Sequence, residues 1–187
     1  MECFIGIDLA VRSGKCSGIA VYLNGECFVT CSFSIDELLK LLKEIIRECG
    51  KCVVAIDAPL TVSHHGFREV DKKLISMGFK VLPPSFPGMR KLTEAAIEIA
   101  NELRSRGCIV IETHPRSALA SSKCLDVKDL ENALSLECSY DQSYIDRWLK
   151  DMNDAVIALA TALCFVKGCV EVVQAADGEI VLLNKLC

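Results

Sequence analysis

Apolar and polar positions alternate through three consecutive short runs at the start of the chain. They predict strands over Cys3–Leu9, Ser17–Leu23 and Glu26–Phe33. Asn24-Gly25, between the second and third, is a hairpin signal, because both positions tolerate positive φ. The period then changes from two to 3.6. Leu38, Leu39, Leu41, Leu42, Ile45 and Ile46 fall on one face of a helix from Ile35 to about Cys49, with Ser34 as cap, Glu37 at the capping-box position and Gly50 as the stop. Cys52–Ile56 is a continuous apolar run, as a strand buried on both faces requires.

The second half carries a helix near Arg68–Met77, the turn-rich stretch from Leu82 to Gly88, and a long helix from about Met89 to Arg106. A short apolar strand follows at Cys108–Glu112, then His114-Pro115-Arg116, and polar helical segments from Ser117 to Trp148. The last helix is expected over Asp151–Val166, and Val170–Leu183 reads as a terminal hairpin turning at Asp177-Gly178. The order β-β-β-α-β-α-β-α predicts an α/β fold, a meander extended by two right-handed crossovers into a mixed five-stranded sheet of order 3-2-1-4-5 with helices on its faces. No repeat or linker interrupts it, so one domain over residues 1–187 is expected.

Four acids stand where apolar elements end or turn inward. Asp8 closes Phe4-Ile5-Gly6-Ile7, Asp57 closes Val53–Ile56, Glu112 closes Ile109–Ile111, and Asp154 opens the apolar part of the last helix with Asp151 one turn earlier. In a sheet of the expected order, the first, fourth and fifth strands are parallel neighbours. Their acids then meet at the carboxyl edge, where open α/β sheets gather their sites. Clustered carboxylates repel one another unless a cation compensates them, and a divalent metal with oxygen ligands is the usual remedy. The pattern points to a metal site before it points to a substrate.

The same residues resemble a known family. Gly6-Ile7-Asp8-Leu9-Ala10 with Gly18-Ile19-Ala20 resembles the first hairpin of ribonuclease H-like proteins. Together with Ala55 through Leu60, Arg68-x-x-Asp71, Glu112-x-His114-Pro115-Arg116 and Asp154 through Ala162, it looks like the DUF429 family of predicted ribonuclease H-like nucleases, over nearly the whole chain. Asp151-x-x-Asp154-Ala155 also resembles the acidic helix of RuvC-type resolvases. The resemblance implies a ribonuclease H-like fold and a two-metal phosphodiesterase using Mg²⁺ or Mn²⁺. Asp8 would be the bridging ligand, Asp57, Glu112 and Asp154 would complete the site, and Asp151 would stand in reserve. Nucleic acid or another phosphodiester is the implied substrate.

Among the cations, Arg68, Arg116 and Lys15 are the candidate phosphate contacts; Arg68 with Asp71 at helical spacing reads otherwise as a surface ion pair, and Lys15 as part of a turn. The histidines, including the adjacent His64-His65, read as loop residues. A net charge of −4 and a pI near 5.4 give no sign of a broad basic face and count modestly against tight non-specific binding of duplex DNA. No apolar run approaches the roughly 18 residues of a membrane span, and the chain enters a strand without a signal-peptide pattern, so a cytoplasmic protein is expected.

Twelve cysteines are many for 187 residues. Most lie in apolar runs, as Cys3, Cys108, Cys164 and Cys169 do, and are expected as free thiols acting as small hydrophobes. Cys49-Gly-Lys-Cys52 is the only CxxC and lacks a second pair for a zinc site. An intracellular hyperthermophile protein would be the exception in which structural disulfides abound, and the presence of only two glutamines leans that way. Two competing functions remain at this level. One is an actin-like nucleotide-dependent phosphotransferase fragment, from Ser13, Gly14 and Gly18 after Asp8. The other is a catalytically idle ribonuclease H-like binding module.

Overall fold

The computed structural model describes residues 2–63 and 66–187, so His64 and His65 lie outside the described residues. Strands β1 (Glu2–Asp8), β2 (Ser17–Leu23) and β3 (Glu26–Ser32) form the expected antiparallel meander. Its turn uses the positive φ of Asn24 and Gly25, 56° and 87°. Helix α1 (Ile35–Arg47) is capped by Ser34, whose hydroxyl accepts from the Glu37 N–H. β4 (Lys51–Asp57) then runs parallel to β1, and β5 (Ile109–Glu112) parallel to β4. Between them lie α2 (Glu69–Ser76) and α3 (Pro87–Ser105). The polar stretch after β5 forms α4 (Pro115–Ser122) and α5 (Val127–Leu134), then β6 (Cys138–Tyr140). α6 (Ile145–Lys167) and the hairpin β7 (Val170–Ala175) and β8 (Gly178–Leu183) complete the chain.

The sheet order is β5-β4-β1-β2-β3-β6. The five expected strands keep their expected sequence, and β6 adds a sixth, parallel to β3, at the outer edge. Three residues are too few to show an alternating pattern, which is why Cys138–Tyr140 was absorbed into a helical reading. A Cys27–Cys138 disulfide ties this short strand to its neighbour.

Alternation along the strands sorts the core into two layers. Ile5, Ile7, Val54, Ile56 and Val110 meet α1 and α3 through Leu38, Leu42, Ile99 and Leu103. Phe4, Ala20, Val53, Ala55 and Ile111 meet α6 through Met152, Ala155, Ala158 and Leu159. α6 lies almost on the backbone of β1 and β2. A Cβ on Gly6 would fall 2.1 Å from the carbonyl oxygen of Ala155, and one on Gly18 would fall 2.2 Å from that of Asp151. Glycine at these two positions is what lets the helix descend. α6 also starts earlier than expected, at Ile145, because buried Trp148 anchors an extra turn and a half. Asp151 and Asp154 therefore stand in its second and third turns.

The cysteines correct the sequence reading. Ten form five disulfides: Cys3–Cys49, Cys16–Cys31, Cys27–Cys138, Cys124–Cys187 and Cys164–Cys169. Only Cys52 and Cys108 are free, both buried. Apolar surroundings were a poor guide, because a disulfide is as apolar as a buried thiol. No helix among the described residues is long and apolar enough to cross a membrane.

Candidate active site

β1 and β4 are in register with Asp8 opposite Asp57, so both carboxylates leave the same face at the carboxyl edge. β5 is offset by one residue: Glu112 pairs with Ile56, and Thr113 takes the place beside Asp57. Because successive side chains alternate, that offset turns Glu112 to the opposite face. Three strand ends that look equivalent in sequence thus deliver two acids to one side and one to the other.

α6 supplies the remaining acids. Gly18 is the cross-strand partner of Asp8, and the Asp151 backbone lies directly over Gly18. Asp151 and Asp154, one turn apart, are consequently carried to Asp8. Asp154 is 15% exposed and is bonded at 2.5 Å by Lys150, an exposed lysine one turn back on the same helix. The near-backbone packing at Gly6 and Gly18 sets this approach.

Glu112 sits in a separate buried network. Its carboxylate accepts from the Leu60 N–H at 2.7 Å and from both terminal nitrogens of Arg68. The guanidinium gives its other donors to Asp71 and to the Thr61 hydroxyl, so all five N–H groups are used inside the protein. Arg68 is 2% exposed, so the Arg68–Asp71 pair is a core element rather than the expected surface pair. Burial disfavours the charge on Arg68, but the bonds to Glu112 and Asp71 outweigh it and raise its pKa. A guanidinium so engaged has no donor left for a substrate phosphate.

Asp8 and Asp57 differ from these paired acids. Ion pairs at this edge go to Glu112 and Asp154, and among the described residues none goes to Asp8 or Asp57. Burial, then repulsion from Asp154 and Asp151, lifts the Asp8 carboxyl to about 7. Asp57 is raised well above the ordinary carboxylate range by burial first, then by Asp8 and Asp154. Two adjacent acids with a raised proton affinity and no cationic partner are what uncompensated negative charge looks like. They open into a cleft of about 190 Å³ that also reaches Glu112 and His114.

His114 escaped the sequence reading as more than a loop residue. It stands at the N-cap position of α4, lines the cleft, and its Nδ1 lies 2.6 Å from the Ser117 hydroxyl. Burial, then the nearby Arg116 charge, lowers its pKa and favours the neutral ring. Its place two residues after Glu112 was the available signal. Arg116 is exposed in the first turn of α4, and its charge is felt at Asp8. Lys15 lies away from the acids. It caps the ring of Trp148 at 5.3 Å and lines a groove with Arg12 and Lys91. Leu9 and Leu92 border both this groove and the acidic cleft, so the two are continuous.

The all-oxygen character of Asp8, Asp57, Asp151 and Asp154 fits a hard divalent cation such as Mg²⁺ or Mn²⁺. As the side chains stand, no set of three or more His, Cys, Asp or Glu among the described residues is gathered tightly enough to chelate an ion. Asp8 and Asp57, in register on adjacent strands and without an ion pair among the described residues, are the members of the set free to take a cation.

No family model matches the sequence, and no curated protein matches it either. Among solved structures, the chain is similar to T. thermophilus RuvC in complex with a Holliday junction substrate. The match has a TM-score of 0.52 and 12% identity, and covers 90% of this chain and 97% of that one. The likeness is one of fold, a mixed central sheet with flanking helices as in that RuvC structure.

Proposed function

We propose that this protein is a metal-dependent nuclease that hydrolyses phosphodiester bonds at the Asp8–Asp57 edge. The observation that carries this reading is the uncompensated pair Asp8–Asp57, in register at the carboxyl ends of central parallel strands, with Asp151 and Asp154 brought over it by α6. The RuvC-like fold and the junction bound in that neighbour support it.

In this proposal Asp8 and Asp57 hold a Mg²⁺ or Mn²⁺ ion, with Asp154 as a further ligand and Asp151 in reserve. When bound there, such an ion supplies activation of water and neutralisation of charge on the phosphoryl oxygens. Asp154, now paired with Lys150, would hold the ion as a further ligand, and Lys150 would then meet a substrate phosphate. Glu112 is assigned a supporting role: held by Arg68 and the Leu60 N–H, it fixes the loop that follows Asp57. Arg116 meets the phosphate beside Asp8, and the Arg12–Lys15–Lys91 groove takes the adjoining backbone. One domain carries the whole site.

A second reading, a binding module without chemistry, is favoured by the Lys150–Asp154 and Arg68–Glu112 pairs, which neutralise two of the acids internally. Cleavage assays with a four-way junction, single-stranded DNA, duplex DNA and RNA, each with Mg²⁺ or Mn²⁺, separate the two. Nuclease function predicts cleavage of at least one substrate, reduced at least 100-fold by Asp8→Asn and abolished by chelator. Undiminished cleavage by Asp8→Asn refutes the site; tight binding of a junction or strand without cleavage leaves the module.

A further inference from the structure

At the opposite end of the same strands, four sulfurs converge. Cys3 and Cys52 are paired Cα partners in the parallel β1–β4 ladder. The β4–β5 register, Val53 with Ile109, sets Cys108 beside Cys52. Cys49, which closes the CxxC with Cys52, reaches back from the end of α1 to form a disulfide with Cys3. The free Cys52 sulfur lies 3.3 Å from the Cys3 sulfur, in van der Waals contact with an existing disulfide. Cys52 and Cys108 are both buried free thiols. This cluster is separated from Asp8 by the length of β1, roughly 16 Å at about 3.3 Å per residue. The proposed nuclease site does not use it.

We propose that Cys3, Cys49, Cys52 and Cys108 form a thiol–disulfide exchange site, in which Cys52 and Cys49 compete for Cys3. The step conserves electrons and needs no oxidant. Cys52 gives its proton to water and attacks the Cys3 sulfur. The Cys3–Cys52 bond forms as the Cys3–Cys49 bond breaks, and Cys49 leaves as a thiolate that takes a proton from water.

The geometry suits both pairings. The Cα atoms of Cys3 and Cys49 are 5.7 Å apart, and paired residues on adjacent strands stand about 4.8 Å apart, within the span a disulfide bridges. Exposure divides the roles. Cys3, Cys52 and Cys108 are 1%, 5% and 6% exposed, whereas Cys49 is half-buried at a helix end. The leaving thiol is therefore the one that solvent and external thiols reach. The Cys108 thiol beside it, then burial, raise the pKa of Cys52, so its thiolate is scarce and exchange is slow at neutral pH. A zinc site built on the CxxC is excluded while Cys3 and Cys49 spend their sulfurs on each other.

Disulfide mapping after acid quench, denaturation and alkylation tests this. Wild type and Cys49→Ser are first equilibrated in a glutathione redox buffer, the oxidised form serving as the oxidant for any new bridge in the variant. Exchange predicts that Cys49→Ser carries a Cys3–Cys52 disulfide and one free thiol, Cys108. A fixed Cys3–Cys49 bridge predicts three free thiols, Cys3, Cys52 and Cys108. That result, or a Cys52–Cys108 bridge instead, overturns the proposal. The wild-type map needs no variant to fold. It should contain a Cys49-alkylated, Cys3–Cys52-linked species that disappears in Cys52→Ser, and its absence from the wild type overturns the proposal equally.

Discussion

Replacing Asp8 by asparagine should stabilise this protein at neutral and alkaline pH and leave it unchanged near pH 4. Burial and the charges of Asp154 and Asp151 raise the Asp8 carboxyl from 3.8 to about 7. A carboxyl with a raised folded-state pKa binds its proton more tightly in the folded than in the unfolded chain. Below pH 4 it is protonated in both states and costs nothing. Between about pH 4 and 7 the unfolded chain ionises first, and stability falls; above 7 the full penalty applies. A rise of about three pKa units corresponds to on the order of 4 kcal/mol, and solvent access at the cleft mouth trims this to roughly 2–4 kcal/mol. Asparagine has the same shape and no charge, so it removes the penalty. At roughly 2–4 °C per kcal/mol for a chain of this size, Asp8→Asn should raise Tm by about 5–15 °C at pH 8 in chelator. The assay is a series of melts of both proteins from pH 4 to 8.5. A Tm difference that does not change with pH, or an asparagine variant that is less stable at pH 8, would refute the electrostatic account of the site.

Other consequences are as direct. Gly18→Ala drives a Cβ into the Asp151 carbonyl and should cost about 2 kcal/mol or more in denaturant titration, whereas Gly88→Ala, with nothing within 4 Å, should be neutral or mildly stabilising. Arg68→Met strands Glu112 and Asp71 without their shared cation and should destabilise by about 3–5 kcal/mol, read from the unfolding midpoint. Cys138→Ser releases β6 and opens a disulfide of sequence separation 111, for a loss of about 2–5 kcal/mol. If cleavage proceeds by the proposed route, the Asp8→Asn variant should be the more stable and the less active protein, a pairing expected where a site holds unpaired charge.

The sequence was most legible where one period persisted over many residues. The meander, α1 and the apolar run of β4 follow directly from alternation, caps and Asn24-Gly25. Legibility ended where a partner lay far along the chain. Asp8 and Asp57 could be read as strand ends, but not the one-residue offset of β5 that sends Glu112 to Arg68, since register is a tertiary property. Gly6 and Gly18 were visible as part of a motif, while their purpose, admitting α6 to backbone contact, appears only with the helix in place. β6 was too short to carry a pattern. The disulfides were hidden because composition cannot separate a bridged sulfur from a free buried one, and three of the pairings join residues 46 or more apart. The CxxC gave no sign of the actual pairing, in which Cys49 joins Cys3 and Cys52 is left free.

The central claim is that Asp8 and Asp57 are acids waiting for a divalent cation, and calorimetric titration of Mn²⁺ into chelator-stripped protein tests it most directly. The account predicts saturable binding to the wild type that weakens at least tenfold in Asp8→Asn, where the charge is gone and the fold is kept. Equal binding by both proteins, or none by the wild type even with a phosphodiester strand present, would contradict it.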